Sequence, residues 1–150
     1  MTRRVLLDAE HRAAIVAHAR ATYPEECCGF LVGTREDGAL RVVELARATN
    51  AREDSPANRY LIPPEEFARV QRDADRRGYD IVGFYHSHPD APARPSEFDR
   101  AHAWADYAYL IASVLRGEPA ELNAFELTRG LTGNDTGSAF VPMELGGGAA

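Results

Sequence analysis

Residues 83–99 leave this chain few ways to fold. An apolar approach, Gly83-Phe84-Tyr85, runs into His86-Ser87-His88, and proline then recurs at positions 89, 92 and 95. On a strand, successive side chains point to opposite faces, so His86 and His88 project the same way and can offer two imidazoles to one metal. The prolines fix φ and remove backbone donors, so the segment after the pair is stiff and cannot be helix. Ser96-Glu97-Phe98-Asp99 then opens a helical pattern, with Ser96 suited to the N-cap and Asp99 to the third position of a capping box, which turns Asp99 back toward the strand end. A catalytic zinc takes three protein ligands of nitrogen, oxygen or sulfur type and keeps one position open. His86, His88 and Asp99 make such a set. Taken singly, each element is ordinary: a histidine at a strand end is more often structural, and Ser96 with Asp99 is a common helix start.

Length and charge narrow the remaining classes. At 150 residues the chain fits one domain, expected over residues 1–145, with residues 146–150 (Gly-Gly-Gly-Ala-Ala) as a disordered tail. A net charge of −6 without a basic run removes the usual electrostatic support for nucleic-acid binding. No apolar run approaches the roughly 20 residues of a membrane span, and the N-terminus lacks a signal-peptide pattern, so a cytoplasmic protein is expected. The two cysteines, Cys27 and Cys28, are adjacent, which suits a reducing compartment. Neighbouring strand residues face opposite sides, so the two cannot share a metal and are expected to be buried as small apolar side chains.

In chain order, Asp8 to Ala21 has a helical pattern with Asp8 as N-cap, and His11 and His18 are expected at the surface. Glu25-Glu26 leads into an apolar strand through Gly33. Residues 34–38 read as a turn and Leu40–Arg47 as the second strand of a hairpin. A short strand is expected near Arg59–Ile62. A helix starts at Pro63-Pro64 and closes at Gly78, and Tyr79–Tyr85 is the central strand. A third helix is expected from Asp99 to about Asp106, followed by strands at Tyr107–Leu115, Leu122–Leu127 and about Ala139–Met143. Mixed strands and helices with hairpins predict an α/β fold with α/β/α layers around a mixed sheet.

The spacing His-x-His, seven residues, Ser, two residues, Asp closely resembles the signature of the JAMM/MPN+ (JAB/Mov34/PAD-1) zinc metallopeptidases. The run Glu26-Cys27-Cys28-Gly29 before apolar residues resembles that family's Glu-x-x-Gly opening strand. The looser succession Thr49-Asn50-Ala51, Ser55-Pro56, Tyr60 and Pro64-Glu65-Glu66 resembles its small bacterial members associated with ubiquitin-like sulfur carriers. The resemblance implies a cytidine-deaminase-like fold, Zn²⁺ held by His86, His88 and Asp99, Glu26 as general acid/base and Ser96 as donor to the oxyanion. It also implies hydrolysis of peptide or isopeptide bonds beside the C-terminal Gly-Gly of a ThiS/MoaD-type partner. Apart from the resemblance, the proline-rich loop with Arg94 is placed to clamp an extended tail, although an exposed loop arginine usually does nothing specific. His102, one turn after Asp99, is a rival ligand or a partner of Asp99. The alternatives are a catalytically silent MPN scaffold, which would usually have lost these ligands, and a RadC-like protein linked to DNA repair, which the acidic charge disfavours. A base deaminase lacks its His-x-Glu and Pro-Cys-x-x-Cys elements here.

Overall fold

A computed structural model describes residues 3–50, 62–101, 103–128 and 139–147. The elements are β1 (Arg4–Leu6), α1 (Ala9–Thr22), β2 (Cys28–Glu36), β3 (Ala39–Ala48), α2 (Pro64–Arg76), β4 (Asp80–Pro89), α3 (Glu97–Ala101), β5 (Ala108–Leu115), β6 (Glu118–Thr128) and β7 (Ala139–Gly146). The seven strands form one mixed sheet in the order β1-β3-β2-β4-β5-β6-β7, and parallel pairing of β1 with β7 closes it on itself.

Alternation along the strands sorts the side chains into two cores. Every strand contributes to the first, through residues such as Val5, Leu31, Leu40, Tyr85, Leu110, Leu122 and Met143, and α1 adds Ile15 and Ala19 to it. The sheet therefore curls around α1. Phe30, Val32, Ile81, Phe84 and Tyr109 point the other way and pack against Val70 and Ala74 of α2. The result is helix, mixed sheet, helix, the α/β/α order expected from the sequence. Asp8 caps α1 by accepting a hydrogen bond from the His11 amide at 2.8 Å.

β4 lies in the middle, antiparallel to β2 and parallel to β5. It is longer than the expected Tyr79–Tyr85, because both histidines and Pro89 continue its ladder with β5. Gly83 permits the close approach of those strands: a Cβ there would lie 2.2 Å from the Ala108 carbonyl oxygen.

Several expectations need correction. The first hairpin turn is only Asp37-Gly38, since β2 runs on to Glu36. β6 begins at Glu118 rather than Leu122, because Arg116 and Gly117 both take positive φ (53° and 82°) and reverse the chain in two residues. The third helix is one short turn, Glu97–Ala101, and does not reach Asp106, where φ is 73° and the chain turns into β5. Gly146 belongs to β7, its carbonyl accepting from the Leu7 amide at 2.9 Å, so it is no part of a disordered tail. β1 was not anticipated at all. His18 is not a surface residue: it is 6% exposed, with Nδ1 2.7 Å from the Tyr85 hydroxyl. The strand expected near residues 59–62 falls almost wholly, and His102 and residues 148–150 fall entirely, outside the described residues. Among the described residues no helix is long and apolar enough to cross a membrane.

Candidate metal centre and active site

Period-two alternation places His86 and His88 on the same side of β4 as Phe84, at the strand's C-terminal end. The capping box then forms as the sequence suggests. The Asp99 amide donates to Ser96 Oγ at 3.0 Å, and the Ser96 amide donates to Asp99 Oδ2 at 2.8 Å. This reciprocal pair fixes the Asp99 carboxylate, whose Oδ2 lies 3.2 Å from His86 Nε2 and 3.1 Å from His88 Nε2, while the two Nε2 atoms are 3.1 Å apart. Three donor atoms thus form a nearly equilateral triangle.

Glu26 reaches the same place from the neighbouring strand. The segment just before β2 is pinned to β4 on both sides: the Ser87 amide donates to the Cys27 carbonyl (3.1 Å) and the Cys27 amide donates to Ser87 Oγ (2.8 Å). That holds the Glu26 carboxylate so that it and the two imidazole nitrogens all lie within 4.8 Å of one another. Glu26 is 3% exposed, and its Oε2 is buried without a hydrogen-bond partner among the described residues. A buried carboxylate oxygen left in that condition is costly unless a ligand or water meets it.

The triangle has the dimensions of a tetrahedral metal site. Zinc bonds of about 2.0–2.1 Å imply donor separations of about 3.3 Å across a tetrahedral edge. Proton placement leads to the same cation. His88 Nδ1 lies 2.9 Å from the Pro92 carbonyl oxygen, which can only accept, so the neutral ring carries its proton on Nδ1 and turns an Nε2 lone pair toward Asp99 and His86. A lone pair of His88 Nε2 then faces the Asp99 carboxylate at 3.1 Å, an arrangement relieved by a shared proton or by one cation between them. The residues fit a divalent metal.

The electrostatics have the same cause. Burial works against the Asp99 carboxylate, but the charge and hydrogen bond of His86, a proton shared with His88 and the Ser96 amide hold it far below the usual carboxylate range. Burial lowers His86. For His88 burial is outweighed by its bonds to Asp99 and Pro92, and its pKa rises. Burial pushes Glu26 up to about 8, with Asp99 adding to the rise and His88 opposing it. Cys27 and Cys28 are buried free thiols that burial keeps protonated.

Sequence reasoning passed over what steadies the loop between β4 and α3. Asp90 accepts from the Arg116 amide and from the Tyr23 hydroxyl, both at 2.7 Å, and its own amide donates to the Val114 carbonyl at 2.7 Å. Asn123 Nδ2 donates to the Ala93 carbonyl at 3.1 Å, and Ala93 is fully buried. The Pro92 carbonyl that orients His88 lies between these two anchors. No pattern in the sequence marks Asn123, which sits on a strand 30 residues beyond its partner.

Residues 8–128 match the family model of prokaryotic homologs of the JAB domain. The desampylase of Haloferax volcanii is 38% identical over 115 residues, covering 73% of this chain and 81% of that protein. The CysO-cysteine peptidase of Mycobacterium tuberculosis is 34% identical over 118 residues, covering 78% of each. Among solved structures, a protein from Desulfitobacterium hafniense superposes with a TM-score of 0.76 at 28% identity, covering 95% of this chain and 93% of its own.

Proposed function

This chain belongs to the prokaryotic homologs of the JAB domain, and from that premise we propose that it is a zinc-dependent peptidase that cleaves conjugates of ubiquitin-like proteins beside a C-terminal Gly-Gly. Hydrolysis is the chemistry of the relatives, one named a desampylase and another a peptidase. The partner is a ThiS/MoaD-type carrier whose extended tail enters the site.

His86, His88 and Asp99 would hold the zinc, and the observation that carries this reading is their 3.1–3.2 Å triangle with His88 fixed by the Pro92 carbonyl. When bound there, zinc would supply Lewis acidity and lower the pKa of a water molecule toward neutrality. Glu26 is the proton carrier. Its buried, unpartnered Oε2 accepts the proton released as water attacks and returns it to the leaving amine, so one carboxylate serves as base and then acid. Ser96 Oγ accepts from the Asp99 amide, which leaves the hydroxyl hydrogen available to the carbonyl oxygen as negative charge builds on it.

The test is a set of carrier fusions extended beyond Gly-Gly, incubated with zinc-loaded protein and weighed by mass spectrometry. Release of the extension is expected. Glu26→Gln should keep zinc and lose turnover by about 10² to 10⁴-fold, whereas His88→Ala and Asp99→Ala should lose the metal itself. Fusions left intact by zinc-loaded protein, or near-normal turnover by Glu26→Gln, would overturn the assignment.

A further inference from the structure

Three of the four groups at the metal centre are aimed by contacts of their own. The β4–β5 ladder carries His86 and His88, the Pro92 carbonyl turns the His88 ring, and the capping box with Ser96 holds Asp99. Glu26 is not aimed in this way: its Oε2 meets no hydrogen-bond donor among the described residues. Where that carboxylate stands is therefore left to the backbone that carries it.

The backbone beside Glu26 departs from the ladder in one respect. Cys28 is paired with His86 in the antiparallel register of β2 and β4, so Cys27 and Ser87 come next, and as a hydrogen-bonded pair they would exchange two backbone bonds. Half of that exchange is present, the Ser87 amide donating to the Cys27 carbonyl at 3.1 Å. In the other half a side chain takes the carbonyl's place, and the Cys27 amide donates to Ser87 Oγ at 2.8 Å. Ser87 is fully buried and, by alternation, lies on the side of the sheet that carries Tyr85, away from the imidazoles before and after it. A buried hydroxyl is costly unless it is bonded, and the Cys27 amide supplies that bond. The exchange of acceptors holds the chain off the regular ladder at the residue next to Glu26.

We propose that Ser87 is a positioning residue for Glu26: its hydroxyl, standing in for a backbone acceptor, sets where the carboxylate lies relative to the two imidazoles. The inference rests on the peptidase reading given above, in which Glu26 carries the proton. Ser87 acts from behind the sheet and touches neither substrate nor metal. Its removal should therefore displace Glu26 while His86, His88 and Asp99, each held by other contacts, keep their triangle.

The experiment is a double-mutant cycle on zinc-loaded protein with the carrier fusions as substrate. Ser87→Ala should lower kcat about 10²-fold with KM unchanged, the cost of a misplacement of about 1 Å. Added to Glu26→Gln, it should change the remaining turnover by less than about twofold, because the group it positions has already lost its function. Two readouts independent of turnover accompany the cycle. Zinc affinity, from competition with a chromogenic chelator, should equal that of wild type. The Cys27 amide should exchange its hydrogen about tenfold faster in Ser87→Ala, while the amides between β4 and β5 stay as protected as before. Ser87→Cys, which fills the same space with a weaker acceptor, should show a smaller loss with the same dependence on Glu26, and completes the cycle if Ser87→Ala does not fold. Unchanged kcat in Ser87→Ala, an equal loss in both backgrounds, or zinc affinity falling in step with turnover would overturn the positioning role while the peptidase reading stands. Fusions left intact by zinc-loaded wild type would overturn the peptidase reading, and the positioning role with it.

Discussion

Lowering the pH should weaken this fold through His18, and the effect can be worked out from its surroundings. His18 lies on the enclosed side of the sheet, 6% exposed, its Nδ1 2.7 Å from the Tyr85 hydroxyl. Burial first, and the charge of Arg47 second, bring its pKa from the ordinary 6.5 down to about 4. Above pH 6.5 both folded and unfolded chains carry a neutral ring, and nothing is lost. Below it the unfolded chain takes up a proton that the folded chain refuses until about pH 4, so stability declines across that window and then levels off. At 1.36 kcal/mol per pH unit the decline amounts to about 3 kcal/mol. Other groups titrate in the same range, notably Glu26, whose raised pKa acts in the opposite direction. They are common to wild type and His18→Gln, so subtracting the two curves isolates His18. Urea unfolding followed by circular dichroism at pH 7, 5.5 and 4 supplies the curves. The stability of wild type relative to His18→Gln should fall by about 3 kcal/mol from pH 7 to pH 4. A difference that stays flat would refute the buried neutral imidazole.

Three further outcomes are expected. In Gly29→Ala the new Cβ would lie 2.2 Å from Tyr85 Cε2 and 2.6 Å from its hydroxyl oxygen, so a loss of about 1–3 kcal/mol should appear in urea melts. Adding Tyr85→Leu should recover part of it, a non-additivity that independent sites would lack. Asn123→Ala frees the Ala93 carbonyl and slackens the loop that aims His88. Competition with a chromogenic chelator should show zinc affinity reduced about tenfold with the circular dichroism spectrum unchanged. Dialysis against a chelator should abolish hydrolysis, and zinc should restore it; activity that survives metal removal would contradict the mechanism.

Much of the fold and site was legible because two periodicities are strong here. Alternation in β4 puts His86 and His88 on one face, and the Ser96–Asp99 capping box is a local device that works whatever surrounds it. Glu26 was reached only through resemblance, since nothing local distinguishes it from Glu25; what separates them is that Glu26 directly precedes Cys27, which is stitched to Ser87 across the sheet. Long-range effects hid the rest. β1 has only three residues and owes its existence to β3 and β7 on either side. His18 looked like half of a surface pair with His11 because its partner, Tyr85, lies 67 positions away. The third helix was overestimated because the helical pattern continues past Ala101, while the backbone reverses at Asp106, whose carbonyl accepts a hydrogen bond from Arg35.

The ring of strands has a consequence for handling the molecule. Arg4, Val5 and Leu6 are the keystone between Ala39–Arg41 and Glu144–Gly146, so over those residues neither β3 nor β7 offers an open border for another chain to zip onto. Trimming the first seven residues, or pulling them away with a tag, would bare two borders at once. Such a preparation should self-associate at concentrations where the intact chain stays apart.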